Sequence, residues 1–284
     1  MSGIPQLFNE ALWQQWLQQS TIDWLMHQFY LYLLVMTRLT GMMMTGPVYS
    51  HNSLPMVMRA LLAFGLSLAI FPAVVGVQGS AIPLPRTVLN MAGDMGQELL
   101  IGFLISFGVM VIMNGIQLAG EMFDQQIGTS IGGLSDPITG VVSQAFGMFL
   151  FSFSMFVFVI LVPLDGHLMM LGALLETFRG IPVGESIAME SINTLIASLM
   201  AQSFLVAVQI SAPLLACMTL LTLTVGILGR SVTHIDVFGL GFALRSFLSM
   251  LVLVMTLDGT TQVMMAEVPH TLDTLLSFLR TAST

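Results

Sequence analysis

The longest uncharged run in this chain sets the class of fold. Residues 191–229 contain no charged side chain, and three further uncharged runs precede them at 60–85, 99–120 and 137–164. About 20 mostly apolar residues are enough for an α-helix to cross the hydrocarbon core of a bilayer. The runs therefore predict an all-α integral membrane protein.

The composition agrees with this class and excludes others. The chain has 284 residues, of which 56% are hydrophobic and 8% are charged, whereas a soluble domain carries about 25% charged residues. No hydrophilic segment is long enough for a separate soluble domain, so we expect one membrane unit. The net charge of −8 argues against a nucleic-acid partner, because binding to phosphates needs clustered cations.

Cofactor sites and energy-coupling motifs are not predicted. Cys217 is the only cysteine, which excludes an internal disulfide, and the histidines lack the spacing of a metal site. All seven basic residues are arginines, so the lysine of a phosphate-binding P-loop is missing. We therefore expect no cofactor and no ATP hydrolysis by this chain.

The apolar segments and their helix breakers predict about six long, partly kinked helices. We expect them near residues 24–45, 54–75, 87–123, 141–162, 191–229 and 237–264, with short helical pieces at 168–178 and 272–279. Pro213 marks a possible kink in the fifth helix. That run would extend about 58 Å as one helix, which exceeds the ~30 Å hydrocarbon core. It is therefore either two helices with a tight turn or one helix that continues into a protein environment.

Several charged residues lie within or at the edges of the apolar segments. They are Arg38, Arg59, Asp94, Glu98, Glu121, Asp124 and Arg245. Ionisable groups at membrane depth are costly and usually face protein or water. Asp94 and Glu98 share a helix face, as do Glu121 and Asp124, and Arg38 and Arg59 are plausible partners. The pattern fits either structural pairing between helices or a relay for protons or ions.

A glycine-rich segment follows the third predicted helix. Residues 128–132 fit the G-x-S-x-G pattern of a nucleophilic serine, with Ser130 in the central position. That motif requires a strand before the serine, whereas a long helix is predicted here, so we expect no enzyme. Irregular backbone at membrane depth is tolerated only inside protein or beside a water-filled cavity. We therefore expect this segment in a protected lumen or interface.

An ordered series of short motifs extends over nearly the whole chain. Each piece is a weak signal, but the order and the spacing are specific. The series resembles the FliR family, the R subunits of flagellar protein export gates and their counterparts in virulence type III secretion, and we favour the flagellar branch. Its pieces are Arg38, Gly46-Pro47, Arg59, residues 97–103, Ala119-Gly120-Glu121, Asp124-Gln125-Gln126, Gly128, Asp136-Pro137, Asp165-Gly166-His167, residues 181–184, Leu228-Gly229-Arg230 and Asp236-Val237-Phe238.

The resemblance implies a structural, pore-forming subunit at the flagellar basal body. Such a subunit passes unfolded export substrates across the bacterial inner membrane. The implied partners are P- and Q-type gate subunits, the B-type switch subunit and the A-type export subunit. The implied organisation is a P-like part at residues 1–185, with four helical segments, and a Q-like helical hairpin at 186–284.

The resemblance also implies roles for single residues. A plug loop at residues 124–136 would close the resting channel, with contributions from Gln125, Gln126, Ile127, Gly128, Ser130, Gly132, Asp136 and Pro137. Polar contacts within the bundle or between subunits are expected from Arg38, Arg59, Glu98, Glu121, Asp124, Asp165, His167, Arg230 and Asp236. The alternative is a proton- or ion-coupled secondary transporter that uses the intramembrane acids, although the sequence lacks the convincing internal repeat typical of such proteins.

Overall fold

The chain is helical throughout the part that its structure, a computed structural model, describes. That part comprises residues 10–50, 55–78, 87–127, 145–161, 165–184, 189–231 and 237–282. The all-α prediction is confirmed, with seven helices in these ranges where we expected about six long ones. They are α1 (Glu10–Thr45), α2 (Met56–Gln78), α3 (Val88–Ile127), α4 (Ala145–Ile160), α5 (Gly166–Gly180), α6 (Met189–Ser231) and α7 (Val237–Ala282).

Four of these helices are long and apolar enough to cross a membrane. The candidate spans are Met56–Gly76, Val88–Gln126, Ile192–Arg230 and Gly241–Thr281. A helix satisfies its own backbone hydrogen bonds, which is why long apolar runs adopt this structure in lipid. The predicted membrane class is therefore confirmed by four helices of the described chain.

The long uncharged run forms one continuous helix. α6 has 43 residues and is about 65 Å long at 1.5 Å per residue. Pro213 lies inside α6 without ending it, because a proline removes one intrahelical hydrogen bond while the flanking turns keep theirs. Of the two alternatives for this run, the single long helix is the one observed.

α7 also continues past its predicted end. We expected a separate short helix at 272–279, but α7 runs through Pro269 to Ala282. The side chains of Val268, Leu272 and Leu275 next to the proline are all buried. Their packing stabilises the helix on both sides of the lost hydrogen bond, so the prediction of a break near residue 264 was wrong.

α3 is the central helix of the molecule. It packs against α1, α4, α6 and α7, and 67% of its most apolar window is buried, compared with 17% for α2. Ile101, Ile105 and Ile112 are fully buried, as expected for a helix that is apolar on all sides. Charged residues on α3 are therefore held between neighbouring helices.

Two glycines allow α1 and α3 to approach each other closely. A β-carbon at Gly102 would collide with the carbonyl oxygen of Arg38, and one at Gly41 would collide with that of Leu99. Small residues permit such contacts between membrane helices. The close approach places the Arg38 side chain directly beside α3.

α6 and α7 form an antiparallel hairpin that packs partly on α3. Gln202 contacts Glu267 and Thr222 contacts Arg245 across the hairpin. Ser211 of α6 donates to the sulfur of Met122, 3.2 Å away, near the end of α3. Roughly the last 15 residues of α6 therefore extend beyond α3.

Candidate functional site

A buried ion pair joins α1 to α3. Arg38 Nε donates to Glu98 Oε2 at 2.5 Å, and the two side chains are 0% and 1% exposed. Taking two charges out of water costs several kcal/mol for each ion, which is offset only when their remaining polar atoms find partners. The neighbours of the pair are therefore part of the same site.

Residues at the end of α5 and just after it add further contacts to this cluster, while Arg38 Nη2 is buried without a hydrogen-bond partner among the described residues. Arg38 Nη1 donates to Thr177 Oγ1 at 3.2 Å, and the Arg38 guanidinium carbon lies 4.3 Å from the ring centroid of Phe178. Glu98 Oε1 accepts the backbone N–H of Gly184 at 2.8 Å. Gly184 has φ of +88°, a conformation that glycine adopts without strain. The cluster thus holds the segment that leads from α5 towards α6.

Opposite charges face each other in this cluster. The Arg38 guanidinium lies against the Glu98 carboxylate with solvent excluded. A carboxylate paired in this way is suited to holding two helices together.

Asp94 lies one helical turn before Glu98 and has a different partner. The hydroxyl of Tyr30 on α1 donates to Asp94 Oδ2 at 2.5 Å. Both acids therefore face α1, as their four-residue spacing predicts. Each is satisfied there by a separate residue.

A second polar contact holds the start of α4 against the end of α3. Asp124 Oδ2 accepts the backbone N–H groups of Phe146 and Gly147, both at 3.2 Å. Amides in the first turn of a helix have no intrahelical acceptor, so Asp124 caps α4 in the way an N-cap residue does. The Asp124 side chain comes from another helix, and the residue is buried.

Close packing reinforces this junction. A β-carbon at Gly120 would lie 2.5 Å from the carbonyl oxygen of Phe146 and 2.7 Å from the Cα of Gly147. The rings of Phe123 and Phe146 stack with centroids 6.3 Å apart. Glu121 Oε1 accepts from Gln117 Nε2 at 3.1 Å. The two chain ends that flank residues 128–144 are therefore held firmly together.

The first residues of the predicted plug segment, 124–136, are helical. Residues 124–127 belong to α3, because the Asp124 cap and the packing of Phe123 extend the helix beyond its predicted end. Gln125 is exposed and Gln126 is partly exposed, and the backbone of Ile127 is helical. The other predicted plug residues lie outside the described residues; they are Gly128, Ser130, Gly132, Asp136 and Pro137.

The remaining predicted polar residues are dispersed over the molecule. Arg59 Nη2 donates to the carbonyl oxygen of Ser50 at 3.0 Å, near the start of α2. Asp165 precedes α5 with φ of 37°, and its carbonyl accepts the N–H of Leu168 at 2.8 Å.

The other three predicted residues are His167, Arg230 and Asp236. His167 Nδ1 is buried without a hydrogen-bond partner in the described part of the chain. Arg230 is exposed near the end of α6. Asp236 lies outside the described residues.

The sequence reasoning missed the uncharged partners of Arg38, Asp94 and Asp124. Tyr30 and Thr177 are uncharged polar residues, and no motif marks them as partners of a charged group. The amides of Phe146 and Gly147 are backbone groups, which no side-chain pattern reports. Gly184 lies in the motif at residues 181–184, and it contributes a backbone N–H from a conformation with positive φ.

Comparison with known proteins decides the family. Residues 29–270 match the family described as bacterial export proteins, family 1. The chain belongs to this family. The matched region contains the Arg38–Glu98 pair, the Asp124 junction and most of the α6–α7 hairpin.

Similar curated proteins carry the name flagellar biosynthetic protein FliR. The Bacillus subtilis protein is 26% identical, over 87% of this chain and 94% of its own length. The Caulobacter vibrioides protein is 27% identical, over 83% and 92%, and the Escherichia coli protein is 26% identical, over 80% and 84%. The resemblance to the FliR family that the motif series indicated is confirmed.

Proposed function

We propose that this chain is a structural, pore-forming subunit of the flagellar type III protein export gate. In this role it passes unfolded export substrates across the bacterial inner membrane at the flagellar basal body. Its family of bacterial export proteins and the names of its FliR relatives support the flagellar export role. Its four membrane-length apolar helices support the location in a membrane.

One observation carries the proposal of an assembly. α6 and α7 have 43 and 46 residues, or about 65 and 69 Å, roughly twice the thickness of a hydrocarbon core. Only 33% and 28% of their most apolar windows are buried within the chain. The exposed apolar surface of these helices is longer than a bilayer can cover, and the rest of the chain buries only part of it. Contacts with neighbouring subunits would bury the remainder.

The partners follow from the family. P- and Q-type gate subunits would cover the exposed helices, and the B-type switch subunit and the A-type export subunit would join the finished gate. The α6–α7 hairpin supports a Q-like part at residues 186–284. α1 to α5 then make up a P-like part at 1–185, which contacts the hairpin where the Ser203 hydroxyl donates to the carbonyl oxygen of Val111.

The proposed gating role rests on the junction of α3 and α4. Asp124 and the close contact at Gly120 give residues 128–144 a fixed base. We infer that the plug closes the resting channel from this base. Its proposed residues are Gln125, Gln126, Ile127, Gly128, Ser130, Gly132, Asp136 and Pro137.

The contacts of the acids weigh against an ion-coupled transporter. Glu98 pairs with Arg38, and Asp94 accepts from Tyr30. Asp124 accepts from backbone amides of α4. An ion path needs acids that share a route, whereas each of these acids is held by its own partner at a contact between helices. Structural pairing is the interpretation that these contacts support.

Native mass spectrometry after co-expression with P- and Q-type subunits tests the proposal. We expect a discrete complex that holds one copy of this chain among several copies of the others. Co-expression with either partner type alone serves as the control and should leave the complex incomplete. A stable monomer or homodimer that ignores both partners would overturn the assignment.

A further inference from the structure

The seam between α6 and α7 opens outwards as a groove beside Pro213. Its volume is about 390 Å³. Its lining combines small and polar residues with the apolar side chains of Ile210, Met255 and Val263, and it includes Gln209, Pro213, Thr256, Gly259, Gln262 and Glu267. The exposed surface beside the groove is apolar, with Leu205 70% and Val254 62% exposed.

Two hydrogen-bond acceptors of the groove are a side-chain carboxylate and a backbone carbonyl. Glu267 Oε2 accepts from Gln202 Nε2 at 2.6 Å, and no arginine of the described residues lies within ion-pair distance of Glu267. Pro213 has no N–H, so the carbonyl of Gln209 four residues earlier lacks its usual helical donor. The groove therefore presents a carboxylate and a backbone carbonyl that a donor could bind.

The groove also has room for close contact with another chain. A β-carbon built on Gly259 would meet no atom within 4 Å, and Ala266 lines the same groove one to two turns further along α7. Small residues allow the backbones of two membrane helices to approach closely. The shape thus suits a helix laid along the seam.

The position of the groove excludes lipid as its natural cover. It lies inside both candidate spans, Ile192–Arg230 and Gly241–Thr281. A carboxylate that faces hydrocarbon is costly, whereas the apolar side chains on either side of the groove are suited to lipid or to an apolar helix. A polar strip within an apolar surface is the pattern of a helix–helix interface that contains a buried polar contact.

We propose that the groove receives a helix of a neighbouring gate subunit that carries an arginine or lysine between small residues. The cation binds the Glu267 carboxylate, and the small residues allow the approach at Gly259. Asp258 is exposed on the same helix and adds attraction for a cation. This inference rests on the proposed function, because it assigns the chemistry of one partner surface of the gate.

Solvent access to the groove in the assembled gate gives the first test. Cys217 is the only cysteine, so Cys217→Ala provides a cysteine-free background for Gln262→Cys. Gln262 is exposed and lines the groove. We expect a water-soluble maleimide to label Gln262→Cys at least about tenfold more slowly in the complex with P- and Q-type subunits than in the chain alone. The same complex unfolded in SDS is the control for full labelling.

A pair of matched substitutions gives the second test. Glu267→Gln and Asp273→Asn each remove one carboxylate from α7, but only Glu267 lines the groove. We expect Glu267→Gln to lower the yield of assembled complex about tenfold, the range for losing a hydrogen bond between charged groups. Asp273→Asn should lower the yield less than twofold.

The outcomes separate this inference from the proposed function. Protection of Gln262→Cys together with a selective loss in Glu267→Gln supports the inference. Labelling as fast in the complex as in the free chain shows a groove open to water and overturns it, as does normal assembly of Glu267→Gln. Failure of the unsubstituted chain to form any complex would overturn the proposed function itself.

Discussion

The charged residues compared below have different kinds of partner in the core around α3 and on the hairpin of α6 and α7. In the core, Arg38 and Glu98 neutralise each other without solvent, and Asp124 is satisfied by amides of α4. On the hairpin, Arg245 donates to Thr222 Oγ1 at 3.3 Å and Glu267 accepts from Gln202. Among the described residues neither of these two hairpin charges has an opposite charge within ion-pair distance.

The difference indicates which contacts the chain completes by itself. The core satisfies most of its charged groups between its own helices, while Arg38 Nη2 is buried without a hydrogen-bond partner among the described residues. The hairpin leaves polar groups and long apolar faces exposed, and these are the features of a surface that assembly covers. The predictions below test this division, starting with the largest expected effect.

Breaking the core ion pair should have the largest effect. Arg38→Ala leaves the Glu98 carboxylate buried without its cation, which costs about 3–5 kcal/mol. We expect a large drop in the thermal midpoint of the chain in detergent and a low yield of folded protein. The double variant Arg38→Met with Glu98→Leu should recover much of the loss, since replacing a whole buried pair by apolar residues is often neutral. Equal stability of Arg38→Ala and the unsubstituted chain would contradict the account of the core.

Adding a side chain where α1 and α3 approach closely should have the next largest effect. A β-carbon at Gly102 collides with the backbone of α1, so Gly102→Ala should destabilise the chain by about 1–3 kcal/mol. Gly96→Ala is the matched control, because it lies on the same helix with no atom within 4 Å of its β-carbon position. We expect the control to be neutral or slightly stabilising. Thermal unfolding of the two variants side by side makes the comparison.

Removing the cap of α4 should have a moderate effect on stability and a separate effect on gating. Asp124→Ala should cost about 1–2 kcal/mol, whereas Asp124→Asn keeps an acceptor and should cost less. If the junction holds the base of the plug, membranes that contain the assembled gate with Asp124→Ala should conduct small ions more readily. Gln125→Ala, at the exposed neighbouring position, is the control. Unchanged conductance in Asp124→Ala would remove the junction from the gating account.

Substituting the hairpin arginine should have the smallest effect on the chain alone. The contact of Arg245 with Thr222 is long and exposed, so Arg245→Ala should change the stability of the isolated chain by less than about 0.5 kcal/mol. In the presence of P- and Q-type subunits we expect a clearly larger loss of assembled complex. A loss of the same size with and without partners would show that the hairpin charge serves the chain itself, as the core charges do.

The sequence predicted the membrane helices and the charged residues of the polar core, but not their uncharged partners. A long uncharged run in lipid must satisfy its own backbone hydrogen bonds, which an α-helix does. An arginine and a glutamate at membrane depth each need a polar partner. The ends of the helices were less predictable, because the cost of Pro213 or Pro269 depends on how the flanking turns pack. The break we expected before Pro269 was therefore not found.

The other contacts depend on the spatial arrangement of distant segments. Asp124 caps a helix that starts more than 20 residues later, and the spacing of residues in one segment contains no sign of that. The groove at Glu267 arises only when Gln209, Pro213 and Gly259 meet across the hairpin. The loss of a donor to the Gln209 carbonyl follows from Pro213 within one helix, but the place of this carbonyl beside Gly259 depends on the neighbouring helix.

Deletion of this chain in its own bacterium tests the central claim most directly. Cells without it should make flagellar proteins but secrete none of them and carry no filaments. Expression of the unsubstituted chain should restore both secretion and filaments, while Arg38→Ala should restore neither. Normal secretion of flagellar proteins in the deletion strain would contradict the claim that this chain is a subunit of the flagellar export gate.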